Sequence, residues 1–250
     1  VMTTLLFLTT FSAVCHGTEY KIVFSNARHN INDTHTSAVP FELTQSGGFI
    51  NGNHTHATAT AIAEVGLLSN VVTLTRNNSP YGANGRPAAT SSVTIDDLTF
   101  YDLDNPGATG TVAVGVGAGY SASIDNPDDA FRAEYGASLT TRLTGTSIGL
   151  GSDGFSDVFT SGGVAGSLFT VMNVPLGELV SVTFSTNVQT RLMVGFERNV
   201  SATSSSLMYY PQFTLPEGIG VTSATYPLGV PAPAPAALLA FGLVLVARAA

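Results

Sequence analysis

Short runs of alternating apolar and polar residues recur along most of the chain. Residues 92–100 give the clearest example, since Val93 and Ile95 fall on one face and Thr94 falls on the other. A period of two residues is that of a β-strand, whose successive side chains point to opposite sides of the sheet. Comparable runs predict strands at 20–24, 41–44, 71–75, 111–116, 168–172, 179–186, 191–196, 208–215 and 221–226.

The spacing of these runs indicates how the predicted strands pack. In the C-terminal half they recur at intervals of roughly 8–14 residues, with turn-forming residues between them, which is typical of sandwiches and barrels. We therefore predict an all-β fold, an antiparallel β-sandwich with a jelly-roll-like arrangement.

Three stretches lack a clear strand pattern. Residues 26–36 are polar and residues 145–166 are rich in Gly, Ser and Asp, so both are predicted to be loops. Residues 58–68 contain enough Ala, Glu and Leu for a short helix, although their β-branched residues favour strands.

Composition narrows the classes of partner. Only 10% of the residues are charged, against about 25% in an ordinary soluble domain. The formal net charge is −8, so the phosphates of nucleic acid would be repelled and no nucleic-acid partner is expected. Divalent cations remain compatible with this charge.

The N-terminal residues form an apolar run that ends among small residues near Gly17. This predicts a signal peptide over residues 1–17, and a first core strand is the alternative. The one cysteine, Cys15, lies within that run. The domain that follows, 18–229, then contains no disulfide, no thiolate nucleophile and no cysteine-ligated zinc site.

Residues 230–250 have a different character from the rest of the chain. Val230, Pro231, Pro233 and Pro235 belong to an alternating proline run, which favours an extended spacer because proline fixes φ and has no N–H. An unbroken apolar run follows and ends at Arg248. We predict a C-terminal hydrophobic helix that inserts into the membrane, although the run is shorter than the roughly 20 residues of a full span. A buried helix of the domain is the alternative, but such a helix normally carries a polar face.

This tail resembles the PEP-CTERM sorting signal of Gram-negative envelope proteins, with a Val-Pro-x-Pro motif, an apolar segment and a basic end. Position 232 is Ala where the family usually has Glu, and Arg248 stands alone where the family has a basic cluster. The resemblance implies an exported protein that is anchored in the inner membrane, cleaved by an exosortase-type enzyme and released to the envelope or extracellular matrix. It also implies an association with exopolysaccharide.

The candidates for metal binding are few. His54 and His56 are two positions apart, so on a strand both imidazoles would face one side, with His29 and His35 as further ligands if the chain folds back. Oxygen-rich stretches at 102–105, 125–129 and 153–157 are candidates for calcium, or ordinary Asx turns. Otherwise no cofactor is expected.

No pattern in the sequence predicts catalysis. The glutamates are scattered without a distinct pair, and there is no Gly-x-Ser-x-Gly motif or phosphate-binding loop. We therefore expect no enzyme activity. The alternative function is a carbohydrate- or calcium-binding module, for which Tyr81, Tyr209 and Tyr210 are candidate aromatic contacts, with the last two on opposite faces of a strand.

Overall fold

A computed structural model describes residues 17–26, 29, 31–48, 55–77, 85–193 and 199–228 of the chain. Within these ranges the chain forms β-strands and turns, with no α-helix. The strands are β1 (Thr18–Asn26), β2 (Ile31–Ser37), β3 (Phe41–Gly48), β4 (Thr55–Glu64), β5 (Leu67–Arg76), β6 (Ala88–Asp102), β7 (Thr111–Asp125), β8 (Phe131–Leu143), β9 (Gly149–Phe159), β10 (Gly162–Pro175), β11 (Leu179–Leu192), β12 (Val200–Thr214) and β13 (Ile219–Thr222).

The strands form two antiparallel sheets. Sheet 1 has the order β2-β1-β6-β11-β8-β9, with β13 paired to one end of β6. Sheet 2 has the order β10-β7-β12-β5-β4-β3. The predicted all-β, antiparallel two-sheet class is therefore confirmed.

The core lies between the two sheets and is built by side chains that alternate along each strand. The ambiguous stretch around residues 58–68 shows this clearly, because it forms the hairpin β4–β5 rather than a helix. In β4 the alanines at positions 57, 59, 61 and 63 are buried, and the intervening residues face outward. Such small side chains leave room between the sheets for large ones. The largest fully buried side chains include Phe24, Phe100, Phe131 and Phe184.

Two predicted loops were wrong. The stretch 26–36 contains most of β2, and the stretch 145–166 contains β9 and the start of β10. All three strands lie at sheet edges, where few residues are covered on both faces, so they need no regular apolar alternation. The predicted strands at 179–186 and 191–196 were also separated wrongly, since β11 runs unbroken through the gap between them.

A carboxylate bridges the two sheets at each open side of the sandwich. On one side Asp33 of β2 accepts a hydrogen bond from Gln45 Nε2 of β3 at 2.8 Å. On the other side Asp153 Oδ2 of β9 accepts the backbone N–H of Phe169 in β10, also at 2.8 Å. An edge strand presents unpaired backbone groups, and Asp153 satisfies one of them. We call these two contacts the edge bridges.

The first and last described segments are held together by β6. Asp97 is 7% exposed, and its carboxylate accepts hydrogen bonds from Ser223 Oγ, from Thr225 N at 2.8 Å and from Thr225 Oγ1 at 2.9 Å. Thr225 Oγ1 also contacts Thr18 Oγ1 at 2.9 Å. The neighbouring Asp96 accepts the backbone N–H of Gly17. This set of contacts, the terminal clasp, fixes both segments to one strand.

Two predicted segments lie almost entirely outside the described residues. The predicted signal peptide, residues 1–17, is described only at Gly17, and the predicted C-terminal helix begins beyond Leu228. In the part of the chain that the structure describes, no helix has the length and apolarity needed to cross a bilayer.

Candidate functional site

The predicted histidine metal site is only partly described. His54 lies outside the described residues, and His56 is an exposed residue on the outer face of β4. His29 does fold back toward the start of β4, because its Nε2 lies 2.8 Å from Thr55 Oγ1, and its Nδ1 lies 2.7 Å from Asn26 Nδ2. Both ring nitrogens of His29 therefore have side-chain partners within the domain. Among the described residues, no group of three His, Cys, Asp or Glu side chains could hold a metal ion.

The environment of His29 shifts its titration. The side chain is fully buried. Burial, together with the nearby His56 imidazole, lowers the pKa of His29 from 6.5 to about 4. Desolvation has this effect because it disfavours the charged imidazolium. His29 is therefore a neutral, hydrogen-bonded core residue at neutral pH.

The oxygen-rich stretches are engaged in local structure. Asp102 Oδ1 accepts the backbone N–H groups of Asp104 and Asn105 at 2.9 and 3.0 Å, which makes an Asx-type turn. Asp153 and Asp157 lie on β9 rather than in a turn, four residues apart and on the same face. A strand rises about 3.3 Å per residue, so their backbones are about 13 Å apart, too far for one calcium ion.

The third oxygen-rich stretch is organised by a buried asparagine. Asn126 Nδ2 donates to the carbonyl oxygens of Phe131 and Thr160 at 2.7 and 2.8 Å. Its Oδ1 accepts the backbone N–H of Ala130 at 3.1 Å. The side chain thus connects the turn after β7 to the end of β9.

The tyrosine pair in β12 lies as the sequence predicts, with one side chain on each face. Tyr210 is 4% exposed and stacks on Phe184 with ring centroids 4.9 Å apart. Tyr209 is 44% exposed on the outer face of sheet 2. Of this pair, Tyr209 alone is therefore available to a ligand. Tyr81 lies outside the described residues.

A second exposed aromatic residue lies on the same face, in β10. Phe169 is 51% exposed, yet its ring lies close to the backbone of β7. A Cβ added at Gly115 would be 2.7 Å from Cζ of Phe169, and one added at Gly117 would be 3.4 Å from Cδ2. Since real Cβ atoms essentially never approach so closely as 2.7 Å, the ring occupies space that any other residue at position 115 would fill. The glycines let one ring face rest on the sheet while the other remains open.

Polar side chains border this ring on the β12 side. The register shifts between Tyr209 and Gln212, which places Gln212 opposite Gly117 and Thr214 opposite Gly115. Gln212 Nε2 would lie 4.0 Å from a Cβ at Gly119. We call this set of residues the aromatic platform. It consists of Phe169, Tyr209, Gln212 and Thr214 around the glycines at 115, 117 and 119.

The outward residues of β10 and β7 around the platform are uncharged, and Asp153 of β9 accepts the backbone N–H of Phe169 at the sheet edge. From position 163 to 173, the outward residues of β10 are Gly, Ala, Ser, Phe, Val and Asn. From position 113 to 123, those of β7 are Ala, Gly, Gly, Gly, Ser and Ser. Val171, 59% exposed, extends the apolar part along β10. The arrangement suits a neutral ligand that has both an apolar face and hydroxyl groups.

Sequence reasoning found Tyr209 but missed Phe169 and the role of the glycines. The Gly-x-Gly-x-Gly run at 115–119 lies within β7. One signal could have indicated more. Glycine at alternate positions leaves one face of a strand without side chains. A side chain from a neighbouring strand can then pack against the exposed backbone.

Comparison with known proteins leaves the family open. No protein-family model matches the sequence, and no curated protein matches it. One solved structure, described as showing the promiscuous specificity of carbohydrate-binding modules of the β-sandwich superfamily, aligns at 10% identity over 78% of this chain and 84% of its own, with a TM-score of 0.25. A structure of infectious bursal disease virus, Gx strain, aligns at 12% identity over 98% of this chain and 69% of its own, with a TM-score of 0.12. TM-scores this low give no basis for an argument about function.

Proposed function

We propose that this chain is a non-catalytic, exported protein of the cell envelope or extracellular matrix, and that its sandwich domain binds carbohydrate through the aromatic platform. The observation that carries the binding role is the Phe169 ring, held against the glycines of β7 with one face open. The resemblance of residues 230–250 to a PEP-CTERM signal suggests exopolysaccharide as the carbohydrate partner.

The chemistry of the platform explains the choice of ligand. A sugar ring presents C–H groups on its faces and hydroxyl groups around its rim. The negative face of an aromatic ring attracts such C–H groups. Gln212 and Thr214 offer an amide and a hydroxyl beside the ring, so a bound sugar would find both hydrogen-bond donors and acceptors. The uncharged outward faces of β7 and β10, with the Asp153 carboxylate beside Phe169, favour a neutral glycan over an acidic one.

Replacing Phe169 with Ala should weaken binding to a neutral oligosaccharide by about tenfold, since the stacking surface is lost. A glycan array of neutral and acidic oligosaccharides would select the probe, and titration calorimetry would measure its affinity. Leu103→Ala is the matched control, because Leu103 is 57% exposed in the turn after β6. Equal losses in the two variants, or no neutral glycan bound by the parent, would contradict the proposal.

Gly115→Ala provides a finer version of the same test. Its new Cβ would displace the ring of Phe169 and lie 3.0 Å from Cβ of Thr214, with no backbone atom among these near contacts, so glycan binding should fall more than stability. Gly117→Ala differs, because its Cβ would lie 3.0 Å from the backbone oxygen of Leu168.

We also propose that the sandwich is jelly-roll-like. Strands β6 and β7 follow each other but lie in different sheets, and their partners β11 and β10 are likewise consecutive and in different sheets. Such a long antiparallel pair wrapped across two sheets is the element from which a jelly roll is built. An experimental structure that pairs β10 with a strand other than β7 would contradict this topology.

The export proposal rests on the residues at the two ends of the sequence. A signal peptide over 1–17 would direct export, and the segment 230–250 would hold the protein in the inner membrane until an exosortase-type enzyme cleaves near 230–235. Mass spectrometry of the mature surface protein should then find a C-terminus close to Val230, Pro231, Pro233 or Pro235. Recovery of mature surface protein that still ends at Ala250 would contradict processing.

A further inference from the structure

A small polar depression lies on the outer face of sheet 1, on different strands from the aromatic platform. Its volume is about 330 Å³, at the small end of the range of about 300–1,000 Å³ for small-molecule sites. A single sugar ring suits this size better than a polysaccharide chain. The lining residues are Thr94, Asp96, Arg142, Thr144, Gly145, Thr146 and Ser181.

Three side chains of the depression come from three adjacent strands, β6, β11 and β8. Ser181 pairs with Arg142 across β11 and β8. On its other side the register between β11 and β6 shifts at Ser181, so that Asp96 and Asp97 together oppose this one residue. A bulge of this kind re-aims side chains. Here Asp97 contacts Ser223 and Thr225 of the terminal clasp, whereas Asp96 lines the depression and also accepts the backbone N–H of Gly17.

Ser181 contributes a buried hydroxyl group without a hydrogen-bond partner to the depression. Its side chain is 2% exposed, and Oγ has no hydrogen-bond partner. A buried hydroxyl without a partner costs folding free energy. This one faces a depression whose other groups are polar, so a ligand there would supply the missing partner.

The wall of the depression is fixed by hydrogen bonds. Thr144 Oγ1 donates to the carbonyl oxygen of Asp96 at 2.8 Å. Thr146 Oγ1 donates to the carbonyl oxygen of Leu143 at 2.9 Å. The depression is therefore formed before a ligand arrives.

We propose that this depression binds one residue of a carboxylate-bearing sugar, a hexuronate. The Arg142 guanidinium has no hydrogen bond or ion pair in the described part of the chain, and its planar fork matches a carboxylate. Asp96 and the hydroxyls of Ser181 and Thr94 face the sugar hydroxyls. This site is separate from the aromatic platform, and neither proposal depends on the other.

The distance between Asp96 and Arg142 favours a hexuronate over an amino acid as the ligand. Asp96 and Arg142 lie on strands that are two strand spacings apart, or about 9–10 Å between backbones. A hexuronate carries its carboxylate and its far hydroxyls on opposite sides of a ring. An α-amino acid carries both charged groups on one carbon and spans this gap poorly.

The test is titration calorimetry of the full chain carrying Phe169→Ala, which removes the platform from the measurement. Galacturonate should bind at least tenfold more tightly than galactose, which carries a hydroxymethyl group in place of the carboxylate, and more tightly than glycine. Arg142→Gln should abolish that preference. Arg132→Gln is the matched control on the same strand, where Arg132 is paired with Glu134 at 3.0 Å. No preference for galacturonate, a preference for glycine, or equal effects of the two arginine variants would overturn the proposal.

Ser181→Ala separates ligand binding from a structural role. It should lower galacturonate affinity about threefold to tenfold, in line with the loss of one hydrogen bond. Because it removes an unpartnered buried hydroxyl, the melting temperature of the ligand-free protein should stay the same or rise. A fall in melting temperature, or an unchanged affinity, would count against the site.

Discussion

Replacing Asp97 with Ala is expected to lower the free energy of unfolding by about 3–5 kcal/mol. The carboxylate accepts three hydrogen bonds from two residues near the end of the described chain, Ser223 and Thr225. Hydrogen bonds to a charged group contribute about 1.5–3 kcal/mol each. The losses are not additive, so the expected total is below the sum.

Urea unfolding of the parent and the variant measures this difference. Asp102→Ala is the control, because Asp102 also accepts two backbone N–H groups but in an exposed turn. The Asp97 variant should in addition be cleaved faster by protease between Ser223 and Leu228, since the clasp holds that segment. If both variants lost similar stability, the terminal clasp would have no special role.

Acidification from pH 7 to below pH 4 should cost about 3 kcal/mol of stability through His29 alone. The folded pKa of His29 is about 4, against 6.5 for an ordinary histidine. Because the folded value is the lower one, the unfolded chain binds more protons in this interval. The stability from neutral His29 is therefore complete above pH 6.5 and is lost as the pH falls through 4. Each pKa unit corresponds to about 1.4 kcal/mol.

The measurement is the slope of unfolding free energy against pH, compared between the parent and His29→Gln. The carboxylates titrate in both proteins, so their contribution cancels in the difference. His35→Gln is the control, because His35 is exposed on β2. The slope should flatten in the His29 variant only, whatever its absolute stability. Parallel slopes for the parent and the His29 variant would show that its protonation is not linked to folding.

The sequence predicts the interior strands well because burial of one strand face requires apolar residues at every second position. Residues 92–100 alternate because β6 lies inside sheet 1, where every second side chain enters the core. The opposite orientations of Tyr209 and Tyr210 follow from the same period of two. The edge strands β2 and β9 lack this pattern. β9 directs Asp153 and Phe155 toward the neighbouring sheet, and its glycines and serines resemble a loop.

The candidate sites were harder to predict, because each depends on residues that are remote in sequence. Phe169 acquires its role only when β10 pairs with β7 and lies against Gly115. Ser181 faces a depression only because β6 bulges opposite it. Pairing partners and bulges are set by the whole sheet, and a single sequence shows neither. A pattern of residue types can suggest aromatic contacts, but it cannot place them side by side.

The edge bridges affect how copies of this protein can pair with one another at high concentration. A protein concentrated at a cell surface meets many copies of itself, and an open sheet edge can recruit a strand from a neighbour and begin a fibre. In this molecule, the Phe169 N–H of β10 is already donated to Asp153, and Asp33 ties β2 to β3 at the other seam. A neighbouring strand would have to displace Asp153 before it could pair with Phe169, and it would meet the Asp33–Gln45 contact at the other seam. The two carboxylates therefore hinder edge-to-edge pairing at the positions they occupy.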